Sequence, residues 1–398
     1  LSSGSVTCGR TSNSMLIASI ASAACNSVSA ATAVRAAKHG YRTLVMSTDL
    51  AHSLADSLDV KLAPEPVQIA PNLWAQETDV YHNLRTHWGR IQEWLRSLLA
   101  WRQVDDIVAD EVSVLPGMEE LANLLWVNTH RESGDYDLIV VDCAPTGETL
   151  RLLSFPEIGR WWVEKIMPIQ RAAVGVMRPF VRVATGMPMP TDDVYDTVQE
   201  LFGQLDRLHR MLVDPELTSV RLVTNPEKMV IKEAQRTWSY FNLFGYPSDL
   251  IVLNRLIPDS VADSYFTDWK QTQSRHRAMV EERFAPVPIK ELPLFRDEVV
   301  GMERLAEMGE VLFGDEDPAR VYFRGRTQQI DRVSDGYILS LPLPFVEKGD
   351  VNLLHVGDEL MVQIGQFRRN IILPRTLVGL TTRGAKFEND TLEIRFGR

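Results

Sequence analysis

Short apolar runs that end in a polar or acidic residue constrain this chain more than any other feature. Asp137-Leu-Ile-Val-Val-Asp142 is almost unbroken in its hydrophobicity, which suits a strand covered on both faces and hence a parallel sheet. Val220-Arg-Leu-Val-Thr224 and Leu250-Ile-Val-Leu253 repeat the pattern, and Arg42 to Thr48 reads as another strand, leading into Asp49. Helix-like sequence follows at 226–242 and 260–283, and again at 299–313 after a strand-like segment from Val287 to Leu292. Such alternation predicts an α/β fold with a doubly wound, mostly parallel sheet. Trp88, Ile91, Trp94, Leu95 and Leu98 recur at helical spacing, so 77–131 reads as helices. Residues 156–213 read likewise, around a Pro/Met-rich interruption from Thr185 to Thr191. Together these two stretches predict a helical subdomain inserted in the α/β unit.

The pattern changes after Gly314-Asp-Glu-Asp-Pro318. Short alternating segments follow: Tyr337 to Pro342, Asn352 to His355, Glu359 to Ile364, Arg369 to Leu373 and Leu392 to Phe396. Turn pairs at Gly349-Asp350, Gly357-Asp358 and Asn389-Asp390 punctuate them. This spacing predicts an all-β sandwich over 328–398, with the boundary near 315–328 and the larger domain over 15–316. A chain of 398 residues accommodates two or three domains at roughly 100–200 residues each.

Composition removes several functional classes. Hydrophobic residues at 45% and charged residues at 24% exclude global disorder, collagen and coiled coil. A net charge of −11 argues against nucleic acid as a partner, because phosphate neutralisation needs clustered Lys and Arg. No run of about 18 apolar residues occurs, so an integral membrane protein is not expected. Cys8, Cys25 and Cys143 form no C-x-x-C pair, which argues against a disulfide framework and a four-cysteine zinc site. This usage fits a reducing compartment and predicts a cytoplasmic location.

Residues 1–48 contain no Asp or Glu and are rich in Ser, Ala and Thr. With Arg10 ahead of the apolar run Met15 to Cys25, they share features with transit peptides and signal cores; residues 1–28 as a transit peptide would direct the chain to an organelle. The plainer reading is a buried first strand followed by a helix, since Ala31 to Lys38 is helical in composition and Gly40 is a natural stop. Residues 1–14 are read as disordered or leader-like.

Two acids stand where a nucleoside-triphosphate site needs them. Asp142 ends a buried strand, where ligands bind in open α/β sheets, and a carboxylate there can hold Mg²⁺ through its water shell. It opens Asp142-Cys-Ala-Pro-Thr-Gly-Glu-Thr-Leu-Arg151, a glycine-containing loop running into a helix start. Asp49 ends a strand in Ser47-Thr-Asp-Leu-Ala-His-Ser53; a carboxylate there can orient an attacking water, or simply cap the next helix.

These two strings resemble switch I and switch II of the arsenite-pump ATPase (ArsA) family, which includes the ATPases that target tail-anchored membrane proteins. Thr224-Asn-Pro-Glu227, Val252-Leu-Asn-Arg255 and Pro293-Leu-Phe-Arg-Asp-Glu-Val299 extend the likeness over about residues 28–313. The resemblance implies a P-loop NTPase sheet, ATP and Mg²⁺ as cofactors, and a nucleotide-dependent homodimer. It also implies that Asp49 positions water as the catalytic residue, that Asp142 supports Mg²⁺ and that Asn254 reads the adenine edge, with Pro293 in the loop over the base. His52 belongs to switch I.

In that family the phosphate-binding loop reads Gly-Lys-Gly-Gly-Val-Gly-Lys-Thr-Ser/Thr ahead of an Ala-rich helix. The matching positions here are Ser19, Ile20, Ala21, Ser22, Ala23, Ala24, Cys25, Asn26 and Ser27. Cys25 replaces the lysine on the β/γ-phosphates, Ile20 the lysine that reaches across the dimer, and Asn26 the Mg²⁺-binding hydroxyl, with Ser27 one position late. A side chain at a left-handed loop position costs roughly 1–2 kcal/mol. Gly4-Ser-Val-Thr-Cys-Gly-Arg-Thr11 nearly matches a P-loop motif, but only three residues precede it, too few for a strand to feed the loop.

Met167, Met177, Met187, Met189 and Met211 lie among Trp161, Trp162, Phe180 and Phe202. They read either as helix-bundle core or as an adaptable surface for apolar helices, and the resemblance implies a groove for a membrane-protein segment. No arsenite-binding cysteine triad is visible. Leu341 to Val351, Asp358 to Ile364, Ile372 to Leu377 and Ala385 to Ile394 resemble the α-crystallin (small heat-shock protein) domain. The expected function is an ArsA-type ATPase coupling ATP binding and hydrolysis to dimer closure, for an apolar client or in support of anion export. The alternatives are a pseudo-ATPase acting as a scaffold or chaperone-like binder, and a native start that differs from residues 1–27.

Overall fold

The computed structural model describes residues 14–21, 26–48, 53–77, 89, 91, 93–94, 96–101, 118–143, 167–185, 187–325, 328–357, 359–365, 367–374 and 376–397. Within these, the larger domain has strands β1 (Met15–Ala21), β2 (Thr43–Ser47), β3 (Val67–Ala70), β4 (Leu73–Glu77), β5 (Leu138–Cys143), β6 (Thr218–Thr224), β7 (Ser248–Leu256) and β8 (Ile289–Pro293). Its helices are α1 (Asn26–Lys38), α2 (Ser53–Leu58), α3 (Met118–Ser133), α4 (Met167–Thr185), α5 (Asp192–Leu212), α6 (Lys228–Phe244), α7 (Thr267–Phe284) and α8 (Gly301–Phe313).

The strands lie side by side in the order β3-β4-β2-β5-β1-β6-β7-β8. All pairings are parallel except that of β3 with β4. Every residue of β2, β5 and β6 is buried, as their apolar composition requires of strands with helices on both faces. The apolar run near the N-terminus supplies β1, which sits between β5 and β6. The edge hairpin β3–β4 was not foreseen; helices were expected from residue 77, which instead closes β4. Asn72 supplies the left-handed turn residue (φ 58°) between the two strands.

Alternate residues along each strand face different layers. Leu16, Ala18 and Ile20 of β1, with Ile139 and Val141 of β5, face a core built with α3, α5, α6 and α7. Ile17, Leu138, Val140, Leu250 and Val252 face a second core built with α1, α2 and α8. In that second layer α1 and α8 approach closely: a Cβ on Gly309 would stand 2.9 Å from the Ala31 carbonyl oxygen. The expected break at 185–191 separates α4 from α5.

The smaller domain is a two-sheet sandwich. One sheet orders β14 (Thr381–Glu388), β15 (Thr391–Gly397), β10 (Gly336–Pro342) and β9 (Gln329–Val333); the other orders β11 (Val351–Val356), β12 (Glu359–Ile364) and β13 (Phe367–Ile372). The β14–β15 turn uses Asn389 and Asp390, both at positive φ (49° and 54°), the geometry of a tight hairpin. β9 and β14 extend the strands expected from sequence.

The sandwich docks on α6 and α7. Trp238, Phe284 and Phe345 form an aromatic cluster, with centroids 5.1 Å apart for Trp238–Phe284 and 5.7 Å for each ring to Phe345. Tyr240 packs on Phe367 at 3.9 Å, the Ser239 hydroxyl donates to the Pro344 carbonyl, and the Arg369 guanidinium donates to the Leu243 carbonyl. The connecting segment is clasped by Arg221, fully buried in β6, which donates to the carbonyls of Pro318 (2.7 Å) and Arg320 (3.2 Å). Among the described residues no helix is long and apolar enough to cross a membrane.

Candidate functional site

The alternation that builds the two cores also places the polar strand ends. Ser19 follows Ile17, Asp142 follows Leu138 and Val140, and Asn254 follows Leu250 and Val252, so all three turn toward the layer of α1, α2 and α8. Ser19 and Asp142 are direct register partners across β1 and β5. At this C-terminal edge of the sheet lies a cleft of about 490 Å³ lined by Ser27 of α1, Ser53, Asp56 and Ser57 of α2, Asn254 and Arg255 of β7, residues 293–300 after β8, and Met308 of α8. This is the edge where open α/β sheets bind ligands.

Asn254, Pro293 and Ser27, far apart in sequence, therefore meet in one cleft. Asn254 is buried, and its side-chain oxygen accepts from the Arg255 backbone N–H at 2.9 Å. That contact leaves the carboxamide NH₂ to donate to an acceptor on a ligand. It also holds Arg255 at φ 58°, a left-handed conformation costing a non-glycine residue roughly 1–2 kcal/mol; backbone strain of this kind concentrates at ligand sites. The Leu294 N–H donates to the Leu256 carbonyl at 2.7 Å, which pins the start of the 293–300 loop to the end of β7. Further along, Arg304 holds Asp297 at 2.9 Å.

Asp142 is buried and accepts a 2.6 Å hydrogen bond from the Ser29 hydroxyl of α1. Its backbone oxygen accepts from the Thr48 N–H at 3.0 Å, which joins the end of β2 to the end of β5. Burial chiefly, and then the neighbouring Asp142 charge, push the Cys143 thiol up to about 12. It stays protonated at neutral pH. Among the described residues no group of His, Cys, Asp and Glu is arranged to hold a metal ion.

The two ends of the cleft differ in their fit to a magnesium nucleotide. Asn254, Arg255 and the loop from Pro293 fit a base and an adjacent anion. Among the described residues, the end where β1 meets α1 offers a phosphate no cation. Ser19, Ile20 and Ala21 are not loop but continuous strand, paired with β6 through Ala21, and Asn26 and Ser27 already belong to α1. The Ser19 hydroxyl is fully buried with no hydrogen-bond partner, at a position where the expected cradle has a glycine. No lysine or arginine occurs from Ser19 to Ser27.

Ser22, Ala23, Ala24, Cys25, Asp49, His52 and the segment 144–166 lie outside the described residues, so the expected water-positioning role of Asp49 has no geometry here. Sequence reasoning missed Ser29 as the partner of Asp142, and also Arg255 and Arg296 as cleft cations. The two arginines stood inside the quoted strings Val252 to Arg255 and Pro293 to Val299. Ser29 carried no signal, because one serine in an Ala-rich helix is unmarked until the helix is laid against β5.

Comparison with known proteins shows the family. The family described as anion-transporting ATPase matches residues 25–314, and an HSP20-like domain found in ArsA matches residues 334–396. A putative arsenical pump-driving ATPase 1 of Aquifex aeolicus is 35% identical, over 92% of this chain and 95% of its own length. A putative arsenical pump-driving ATPase of Chlorobaculum tepidum is 38% identical, over 93% and 92%. ATPase GET3C of Arabidopsis thaliana is 26% identical, over 72% and 78%.

Proposed function

The chain belongs to the anion-transporting ATPase (ArsA) family, and on that premise we propose that it is a nucleotide-operated switch in which an adenine nucleotide enters the cleft beside β7 and β8 and drives closure of a homodimer. The observation that carries this reading is the convergence of Asn254, Pro293 and Ser27 on one cleft at the carboxyl edge of the sheet. Asn254 would donate to the base, and the 293–300 loop would cover it. Asp142, held by Ser29, would stand on the phosphate side of the site, where the family's ATP and Mg²⁺ would be held. Dimer closure would serve an apolar client or the support of anion export. Ile169 and Met177 of α4 are exposed at 69% and 54%, apolar surface of the kind a client helix covers. The names of the Aquifex and Chlorobaculum relatives favour the anion side.

A second reading has its own observation. The absence of glycine and lysine from Ser19 to Ser27 favours a pseudo-ATPase, acting as a non-hydrolysing scaffold or chaperone-like binder with the sandwich as part of its binding apparatus.

The test is the thermal midpoint with and without Mg²⁺-ATP, on this chain and on one whose residues 19–26 are restored to Gly-Lys-Gly-Gly-Val-Gly-Lys-Thr. Specific binding raises the midpoint by mass action. A rise in both chains supports the nucleotide switch. A rise in the restored chain alone supports the scaffold reading. A rise in neither removes the nucleotide site.

A further inference from the structure

We infer that a further cleft, at the amino edge of the sheet, binds a small zwitterion: an α-amino acid with an apolar side chain, its carboxylate on Arg131 and its ammonium on Asp214. This edge lies across the sheet from the cleft beside β7 and β8. The cleft holds about 460 Å³ and is lined by Asn128, Arg131 and Glu132 of α3, Arg207, Arg210 and Met211 of α5, and Asp214 and Leu217 of the turn into β6. Backbone bonds fix that turn: the Leu16 N–H of β1 donates to the Leu217 carbonyl at 2.8 Å, and the Thr218 N–H donates to the Asp214 carbonyl at 2.9 Å. The volume is that of a small-molecule site.

Most charges here are spent on one another. Arg207 pairs with Glu132 at 3.3 Å, and Arg210 pairs with Asp206 at 2.7 Å. Arg131 and Asp214 are the exceptions. Each is half-buried, neither has an ion pair among the described residues, and they do not pair with each other although they line the same cleft. A ligand that carries both charges bridges such a gap and completes both partners, whereas a ligand with one charge leaves the other group unmatched. Three arginines stand against Glu132, Asp214 and Asp206, so the lining has no surplus of positive charge to favour a bare anion.

The acceptors for an ammonium are held in place. Asp214 Oδ1 accepts from the Glu216 N–H at 2.9 Å, which leaves Oδ2 for the ligand. Asn128 Nδ2 donates to the Gln204 carbonyl at 2.7 Å, which leaves the carboxamide oxygen to accept. Asp214 stands two residues beyond Leu212, the last residue of α5, and the carbonyl end of a helix favours a cation. Met211 and Leu217 supply apolar wall for the side chain.

Ligand-observed NMR titration of the full chain with leucine, glycine, leucinamide and N-acetylleucine tests this. Leucinamide lacks the carboxylate and N-acetylleucine lacks the ammonium. The expected result is that leucine binds about tenfold or more tighter than each of the other three. Arg131→Gln should abolish the preference for leucine over leucinamide and keep that over N-acetylleucine. Asp214→Asn retains an acceptor for the Glu216 N–H and should do the reverse. A general loss of fold weakens all four ligands together and cannot produce this exchange. The preferences of the unaltered chain test the inference even where a variant fails to fold. N-acetylleucine binding as tightly as leucine would overturn the zwitterion in favour of a plain anion site, and leucinamide binding as tightly as leucine would overturn the role of Arg131. No binding of leucine at about 10 mM would overturn the site itself.

Discussion

The edge beside β7 and β8 and the edge where β1 meets α1 belong to the same sheet and differ in the side chains they present. At the β7–β8 end, the strand terminus, the buried Asn254 and the covering loop are all in place and tied by short hydrogen bonds. At the β1–α1 end the strand and helix are equally well formed, with β1 paired on both sides, yet the stretch from Ser19 to Ser27 contains neither glycine nor lysine. A parallel strand requires apolar side chains, and Met15 to Ala21 supplies them. A phosphate cradle requires glycine backbone and fixed positive charge, which hydrophobic patterning does not provide. Scaffold and chemistry are thus separable: burial maintains the first, and a few loop residues determine the second.

The largest expected effect breaks the contrast directly. Restoring residues 19–26 to the family loop should raise Mg²⁺-ATP hydrolysis at least about 10²-fold, the scale of one preorganised charge-stabilising donor; a phosphate-release assay under single-turnover conditions measures it. If the rate stays at background, the deficit lies in more than the loop.

A second test addresses the shared scaffold. Phe345→Ala removes a ring from the Trp238–Phe284–Phe345 cluster and should cost about 2–4 kcal/mol in urea unfolding. The cost should be the same in the given and restored chains, because the sandwich interface does not touch the cradle. Unequal costs would mean that the two ends are coupled through α6.

Acid titration sharpens the comparison further, since two helices packed on the sheet each carry an enclosed histidine, buried at His130 and half-buried at His209. His130 of α3, bonded to Gln76 of β4 at 2.6 Å, is lowered to about 4 by burial, with Asp135 opposing. His209 of α5 is lowered to about 4 by burial first and then by Arg369 of the sandwich. Both are neutral in the fold and protonate near pH 6.5 when unfolded. Between those values the unfolded state binds more protons, so stability is full above about pH 6.5 and falls as pH drops toward about 4. Unfolding free energies from urea titration should fall between pH 7 and pH 5 by roughly 2–4 kcal/mol in total. His130→Gln should flatten part of that slope, and an unchanged slope would assign the loss to carboxylates instead.

The smallest effect compares two matched hydrogen bonds. Ser29 donates to Asp142 at 2.6 Å on the phosphate side, and Ser219 donates to Asp249 at 2.6 Å beside β7. Ser29→Ala and Ser219→Ala should each cost about 1–2 kcal/mol by chemical denaturation. A markedly smaller cost for Ser29→Ala would show Asp142 to be poised for another partner.

Much of this was legible in the sequence. The apolar runs at 137–142, 220–224 and 250–253 announced buried parallel strands, and the paired switch strings announced the family. Asn254 and Pro293 were singled out from strings about forty residues apart, and both line one cleft at the sheet edge. The β3–β4 hairpin was missed because its strands span only four and five residues, and Val67 and Gln68 are exposed. Edge strands need only one neighbour and carry little periodic signal.

What the sequence determined alone was most of the order of strands and helices and the change from an α/β unit to an all-β one, because periodicity and residue type are local properties. Tertiary structure decided which polar groups meet. Ser29 reaches Asp142 across 113 positions, Arg221 is buried against carbonyls almost a hundred residues away, and Arg255 is set in a left-handed turn beside Asn254. Those contacts depend on how twisted strands and packed helices register against one another, and no local pattern in the chain encodes that register.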